Sequence, residues 1–228
     1  MKVIDLHTHT TPASGCSRLR PEDLIKRAKQ LGLDGVCLTE HHASWDTYSI
    51  RQLALRYDFT LFRGVEITTR EGDVLVYGPH TFGLPYEIQG IISAQRLQEM
   101  VVLRGGATVA AHPLRGCFLS RDGQESAEFH QKVRELSSRP VFRWVDGIEG
   151  LNGNTSNIQN QGALTICELL GLPATGGSDA HLVSDVGRYV TCFEQDITND
   201  RELAHAIRQG TFKAIALEAW HRGVSSSA

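Results

Sequence analysis

Histidines and acids stand at the ends of short apolar runs throughout this chain, and that recurrence limits its fold more than any single motif. Val3, Ile4 and Leu6 lead to His7 and His9, Val36-Cys37-Leu38-Thr39 delivers Glu40-His41-His42, and Gly64-Val65 delivers Glu66. Thr108-Val109-Ala110-Ala111 ends in His112-Pro113, and Pro173 to Gly177 leads to Ser178-Asp179-Ala180-His181. Each run has the length and character of a short buried strand. In an extended segment His7 and His9 point to one face, so two imidazoles can reach one ion. A lone His-x-His pair reads equally well as part of a surface loop. His7, His9, His41, Glu66, His112, Asp179 and His181 all fall at strand ends, and chance does not place them all there.

Helical patterns separate the runs. Pro21-Glu22-Asp23 opens a helix with proline in its first turn and acids near its positive end, and Gly32 closes it. The spacing of apolar residues predicts further helices over 48–56, 93–103, 157–170 and 200–208, with a loop turning helical across 120–136. Further strands are expected over 60–62, 64–67, 74–77, 145–148, 189–193 and 212–217, with Glu149 and then Asn152 following 145–148. No repeat, linker or compositional break intervenes. The alternation predicts one parallel α/β domain over residues 1–220, followed by a small polar tail, 221–228, expected to be disordered. In a (β/α) barrel chemistry collects at the carboxyl ends of the strands. A doubly wound open sheet uses strand ends too, but no Gly-x-Gly-x-x-Gly follows the first strand. A barrel is the expected architecture.

Charge and cysteine usage narrow the partners. The formal net charge of −3 and a pI near 6.4 leave no electrostatic footprint for long nucleic acid, but allow a small phosphorylated substrate held by a few arginines. The five cysteines are scattered, with no Cys-x-x-Cys pair, which suits a reducing compartment. The first strand begins at once, leaving no room for a signal peptide, and no apolar run reaches membrane-spanning length. A cytoplasmic protein without membrane contact is expected; oligomeric state is not legible.

Imidazoles and carboxylates without thiolates suit Zn, Mn or Fe rather than a structural zinc cage. Seven donors exceed what one catalytic ion needs, and a carboxylate such as Glu66 can bridge two ions. Two ions roughly 3.5–4 Å apart would clamp a bridging hydroxide and the substrate oxygens in an in-line displacement. The residues therefore point to metal-assisted hydrolysis.

His7-Thr8-His9, Thr39-Glu40-His41, Gly64-Val65-Glu66, Ala111-His112-Pro113 and Gly177-Ser178-Asp179-Ala180-His181 together resemble the polymerase and histidinol phosphatase (PHP) family, in the right order as far as about Arg188. The resemblance implies a distorted seven-stranded (β/α) TIM-like barrel and a phosphoesterase that uses a metal-bound hydroxide and two or three divalent ions. It implies His7, His9, Glu66 and Asp179 around one metal, Glu66 and His112 on a second, and His41 and His181 on a third. It also gives Asp179 a catalytic part, orienting the hydroxide. The chain departs from the family at Ala13-Ser14-Gly15-Cys16, where an Asp or His is common. Glu40 stands where many members have Asp, and Asp73 near a frequent histidine.

Arg18, Arg115 and Arg188 lie near the motif loops, where each could hold a phosphate or face solvent. Asn152 and Asn154 could bind substrate or shape a turn. Arg18, Arg115 and Asn152 are taken as the substrate-binding candidates. His42 reads as a neighbour of a ligand, and His80, His130 and His205 as surface or packing residues. Two other functions compete. An amidohydrolase-type enzyme also begins with His-x-His, but many of those bridge their metals with a mid-barrel lysine. Lys2, Lys26, Lys29, Lys132 and Lys213 stand nowhere suitable. A non-catalytic metal-binding domain is disfavoured by the near-complete ligand set.

Overall fold

The computed structural model describes residues 1–78, 91–117 and 126–225, with side chains as far as His221. Nine strands form one sheet: β1 (Lys2–Thr8), β2 (Gly35–Leu38), β3 (Thr60–Thr69), β4 (Gly72–Tyr77), β5 (Ala107–Ala110), β6 (Gly147–Asn152), β7 (Ala174–Gly177), β8 (Tyr189–Phe193) and β9 (Phe212–Ala216). Their order is β7-β6-β5-β4-β3-β2-β1-β8-β9, so the first seven lie side by side in chain order. The ends of that series meet. The Asp179 amide donates to the His7 carbonyl at 2.7 Å, and the His9 amide to the Ala180 carbonyl at 3.0 Å. Seven strands thus curl into a nearly closed barrel, and β8–β9 extends it as a hairpin.

β1 serves two neighbours on that side. Its first half pairs antiparallel with β8, Lys2 opposite Phe193 and Ile4 opposite Thr191. Its second half faces the segment that leaves β7. The Thr191 hydroxyl stitches β7 to β8, accepting from the Gly176 amide and donating to the Gly176 carbonyl, both at 2.9 Å. Gly177 is required by this crowding: a Cβ there would stand 2.5 Å from His7 Cβ and 2.8 Å from Glu149 Oε1.

The sheet is less parallel than the alternation predicts. β1, β2 and β3 are parallel, as are β5, β6 and β7, but β4 runs against both β3 and β5. Only Arg70 and Glu71 separate β3 from β4, and so short a connection returns the chain antiparallel. β6 also starts later than expected, at Gly147, which places Glu149 and Asn152 inside the strand.

Among the described residues seven α-helices flank the sheet: α1 (Pro21–Gln30), α2 (Thr47–Tyr57), α3 (Ala94–Val102), α4 (Ala127–Ser137), α5 (Asn157–Leu170), α6 (Asp200–Gln209) and α7 (Leu217–Ser225). Asp46, Ser93, Ser126, Ser156 and Asn199 cap the starts of α2 to α6, each accepting from a backbone amide. α7 is described as far as Ser225, and Leu217 and Trp220 pack against the core beside α1 and β8. Residues 226–228 lie outside the described residues.

α6 closes the end of the barrel where β3 and β5 begin. Leu203, Ala204, Ala206 and Ile207, all fully buried, pack against Ile4 and Leu6 of β1, Phe62 of β3, Tyr77 of β4 and Val109 of β5. At roughly 1.5–3 kcal/mol for each large side chain buried, this apolar plug contributes substantially to stability. Among the described residues no helix is long and apolar enough to cross a membrane.

Candidate metal centre

The opposite end of the barrel is polar. His7 lies in β1 and His9 just beyond it, Glu66 in β3, and His41 and His112 after β2 and β5; Asp179 and His181 follow β7. His7, His9, Glu66, His112 and Asp179 are buried, while His41 and His181 stand at the mouth. The Nε2 atoms of His7 and His9 are 3.0 Å apart. Glu66 Oε2 lies 3.0 Å from His41 Nδ1, 3.3 Å from His9 Nε2 and 3.5 Å from His7 Nε2, and Glu66 Oε1 lies 2.7 Å from His112 Nε2. Asp179 Oδ1 is 3.3 Å from His9 Nε2 and 3.6 Å from His7 Nε2.

Four donor sets emerge, each with its ligand atoms within 4.8 Å of one another: His7-His9-Glu66, His7-His112-Asp179, His9-His41-His181 and Glu66-Asp73-His112. All seven residues expected at strand ends are therefore brought together, and Asp73 joins them. Their fit to a cation has a direct test. Glu66 Oε2 is buried and has no hydrogen-bond partner among the described residues, although three imidazole nitrogens surround it. A desolvated carboxylate oxygen left so is costly, and a divalent ion shared with the imidazoles would satisfy it.

The local electrostatics are those of opposite charges crowded out of water. Burial works to lower the His7 pKa, but the carboxylates of Glu149, Asp179 and Glu66 outweigh it and hold the imidazole well above its ordinary value. Burial works to raise Glu66 and Asp179, yet both are held below the usual carboxylate range, with His7 the largest opposing charge. The backbone is strained at the same places. His112 and Asp179 adopt φ of 28° and 52°, and His42 adopts 56°. Such conformations persist where surrounding bonds over-determine them. Here the His112 amide donates to Glu149 Oε2 at 2.7 Å, and the His42 amide to the Glu66 carbonyl at 2.8 Å.

Three buried acids support the donors, in positions that sequence reading left without that part. Glu149 Oε1 lies 2.9 Å from His7 Nδ1, so the other ring nitrogen, Nε2, faces Glu66, while Oε2 also accepts from Asn152 Nδ2 at 3.0 Å. Asp5 accepts from the amides of Ser178, Gly187 and His7 at 2.9, 3.1 and 3.3 Å, tying β1 to the loop that carries Asp179 and His181. Burial pushes its carboxyl up to about 6. Glu40 is occupied by the Thr10 amide and hydroxyl, the Ser14 hydroxyl and Trp45 Nε1. It anchors the loop after β1 instead of facing the donor group. The available signal was the same for all three: an acid within or at the end of an apolar run.

Among the substrate-binding candidates, Arg115 donates to Asp179 Oδ2 and, at 3.3 Å, to Asn152 Oδ1. Asn152 Nδ2 in turn donates to Asp179 Oδ2 at 3.3 Å. Arg115 and Asn152 thus join the centre. Arg18 is exposed on the rim, where its backbone amide donates to the His181 carbonyl at 3.1 Å. Arg188 is exposed and donates to the Gly153 carbonyl at 3.0 Å, and the Asn154 amide bonds to Asn152 Oδ1 in a turn. Cys16 is exposed, and His130 and His205 lie on the solvent sides of α4 and α6. His80 lies outside the described residues.

Known proteins agree with this architecture. Residues 5–140 match the family model of the PHP domain, and residues 157–212 match that of the PHP-associated region. The uncharacterized protein MJ1587 of Methanocaldococcus jannaschii is 26% identical over 119 residues, which make up 48% of this chain and 66% of that protein. The chain thus spans just under two thirds of that relative. PsfC from Pseudomonas syringae PB-5123 shares the fold at 22% identity, with 99% of this chain and 98% of that one covered and a TM-score of 0.64. So does a two-domain protein from Bacteroides vulgatus ATCC 8482 described as containing a predicted PHP-like metal-dependent phosphoesterase. It is 18% identical, with 94% of this chain and 64% of that one covered, at a TM-score of 0.62. Because the domain match extends over more than half its length, the chain belongs to the PHP family.

Proposed function

We propose that this protein is a metal-dependent phosphoesterase working at the strand-end donor group. The observation that carries the reading is the unpartnered, buried Oε2 of Glu66 among three imidazoles, with Arg115 beside Asp179 a short step away. His7, His9, Glu66 and Asp179 would hold one ion, Glu66, Asp73 and His112 a second, and His41 and His181 a third. Divalent ions held there supply Lewis acidity and a water acidified towards a pKa of roughly 7.

The side chains do the rest. Glu149 keeps the His7 ring turned so that Nε2 faces the centre. Arg115 presents a planar donor fork suited to phosphoryl oxygens, and Asn152 steadies it. Asp179 Oδ1 lies on the inner side, placed to orient the attacking water. Water oxygen adds to phosphorus, the ester P–O bond breaks, and the proton given up by the water leaves on the alcohol oxygen. The amidohydrolase alternative lacks its bridging lysine: Lys2 pairs with Asp34 and Asp196 at the far end of β1, and Lys132 pairs with Glu135 on α4. The two-domain relative described as a phosphoesterase adds support of its own.

Hydrolysis of an aryl phosphate and of phosphodiester analogues tests the proposal, with amides and lactones in parallel. Turnover should stop on chelation and return with Mn or Zn, and Asp179→Ala should cost more than Arg18→Ala. Turnover of amides or lactones alone would transfer the protein to the amidohydrolase class. Silence on every substrate with the ions bound would make it a binding domain.

A further inference from the structure

α6 has a second face. Arg201, His205 and Arg208 recur at helical spacing on its solvent side, and Arg104 reaches the same place from the turn after α3. With Gly105 and Glu202 they line a cleft of about 430 Å³. The cleft sits where α6 closes the barrel, at the opposite end from the histidines.

Two of its guanidinium groups are held in place by backbone. Arg208 Nη1 donates to the carbonyls of Gly105 and Gly106 at 2.7 and 2.6 Å, and Arg104 Nη1 donates to the Met100 carbonyl at 2.9 Å. A guanidinium has five N–H donors, so these bonds fix the groups without using them up. Among the described residues none of Arg104, Arg201 and Arg208 forms an ion pair, although elsewhere Arg20, Arg63, Arg96 and Arg115 do. Glu202, the one acid on the lining, is engaged by the Thr198 amide and hydroxyl, both at 2.8 Å. Three cations thus share one concavity in a chain whose net charge is −3. Three like charges gathered beside one carboxylate raise the local positive potential, and planar guanidinium forks match phosphate oxygens.

We infer that this cleft is a binding site for a small phosphate-bearing anion, separate from the metal centre. The ligand class is inorganic phosphate or a phosphate monoester, recognised through its oxyanion by Arg104, Arg201 and Arg208. This inference does not depend on the reaction proposed above, because no residue of the cleft belongs to the donor group.

Isothermal titration of the metal-loaded protein at fixed ionic strength tests it, first with inorganic phosphate and then with a phosphate monoester. A preference for one of the two identifies the source of the anion. The Arg104→Ala/Arg201→Ala double variant changes two exposed side chains, and circular dichroism verifies its fold. It should weaken one binding component at least tenfold, whereas Arg115→Ala at the metal centre should leave that component intact. Phosphate should also raise the melting temperature of the wild type more than that of the double variant. Arg104→Lys/Arg201→Lys, which keeps the charge, should recover part of the affinity and guards against a misfolded alanine variant. The inference is overturned if the wild type has no binding component that the double alanine variant removes.

Discussion

At one end of the barrel His7, His9, Glu66 and Asp179 crowd four titratable side chains out of water; at the other, Leu203, Ala204, Ala206 and Ile207 of α6 bury hydrocarbon against hydrocarbon. The same strands supply both ends. Around His112 and Asp179 the backbone is strained, and among the described residues Glu66 Oε2 has no hydrogen-bond partner. Around α6 the helix is regular, capped by Asn199 and stopped by Gly210 in the left-handed conformation. The contrast separates two tasks: the apolar end stabilises the barrel, and the polar end carries strain and desolvated charge that only a ligand relieves.

The sharpest way to break that contrast is Glu66→Gln. The amide keeps the shape and removes the charge, and removing one partner from a buried charge cluster costs about 3–5 kcal/mol. Metal affinity and turnover should fall by about two to three orders of magnitude, and urea stability in the presence of chelator should fall as well, because Glu66 faces the imidazoles with or without an ion. Full metal content with full activity would dismiss Glu66 as the bridge.

Leu203→Ala is the reciprocal experiment. It should lower stability by about 2–5 kcal/mol through the cavity it leaves, while the folded fraction keeps its metal stoichiometry. An equal fall in metal affinity per folded chain would mean that the two ends are not independent. A smaller effect is expected from Glu149→Gln, which leaves every donor in place but loosens the orientation of His7 and the hold on the His112 amide. Metal affinity should drop roughly 10–100-fold, as read by competition with a chromophoric chelator.

Acidification probes the polar end alone. Imidazole and carboxylate donors bind metal in their unprotonated forms, and His7 is held well above its ordinary value, so metal occupancy and turnover should begin to fall above the usual histidine pKa of about 6.5, fall further below it, and recover on return. Activity that is flat down to pH 5 would contradict imidazole ligation. The smallest change belongs to Arg18→Ala. An exposed rim side chain of this kind is worth about 0.5 kcal/mol or less, a rise in KM of roughly twofold. A tenfold rise would bring Arg18 into the site beside Arg115.

The parts of the molecule that were legible in sequence are those fixed by local chemistry. α5 occupies residues 157–170 as its spacing predicts, because Ser156 and Gln159 form a capping box at one end and Gly171 takes the left-handed conformation at the other. The strand-end donors were legible because a polar residue ending each buried strand needs a common destination. Strand direction was not: apolar periodicity is the same in β4 whichever way it runs, and only the two-residue turn Arg70-Glu71 gives its reversal away. The orienting part of Glu149 was hidden for another reason. Its partner His7 is 142 residues distant, and nothing local marks the pairing.

The seam between β1 and the segment after β7 has a consequence for how the protein is made. The bonds that close the barrel belong to the backbone of His7, His9, Asp179 and Ala180, and His7 lies 171 residues from Ser178 along the chain. Ring closure and delivery of the last donors are therefore one event. On the ribosome, where chains emerge at about 5–20 residues per second, the first two histidines are present for roughly ten seconds or longer before Asp179 exists to meet them. Closure of so distant a contact is a late step in folding, and the complete donor set belongs to the finished polypeptide alone.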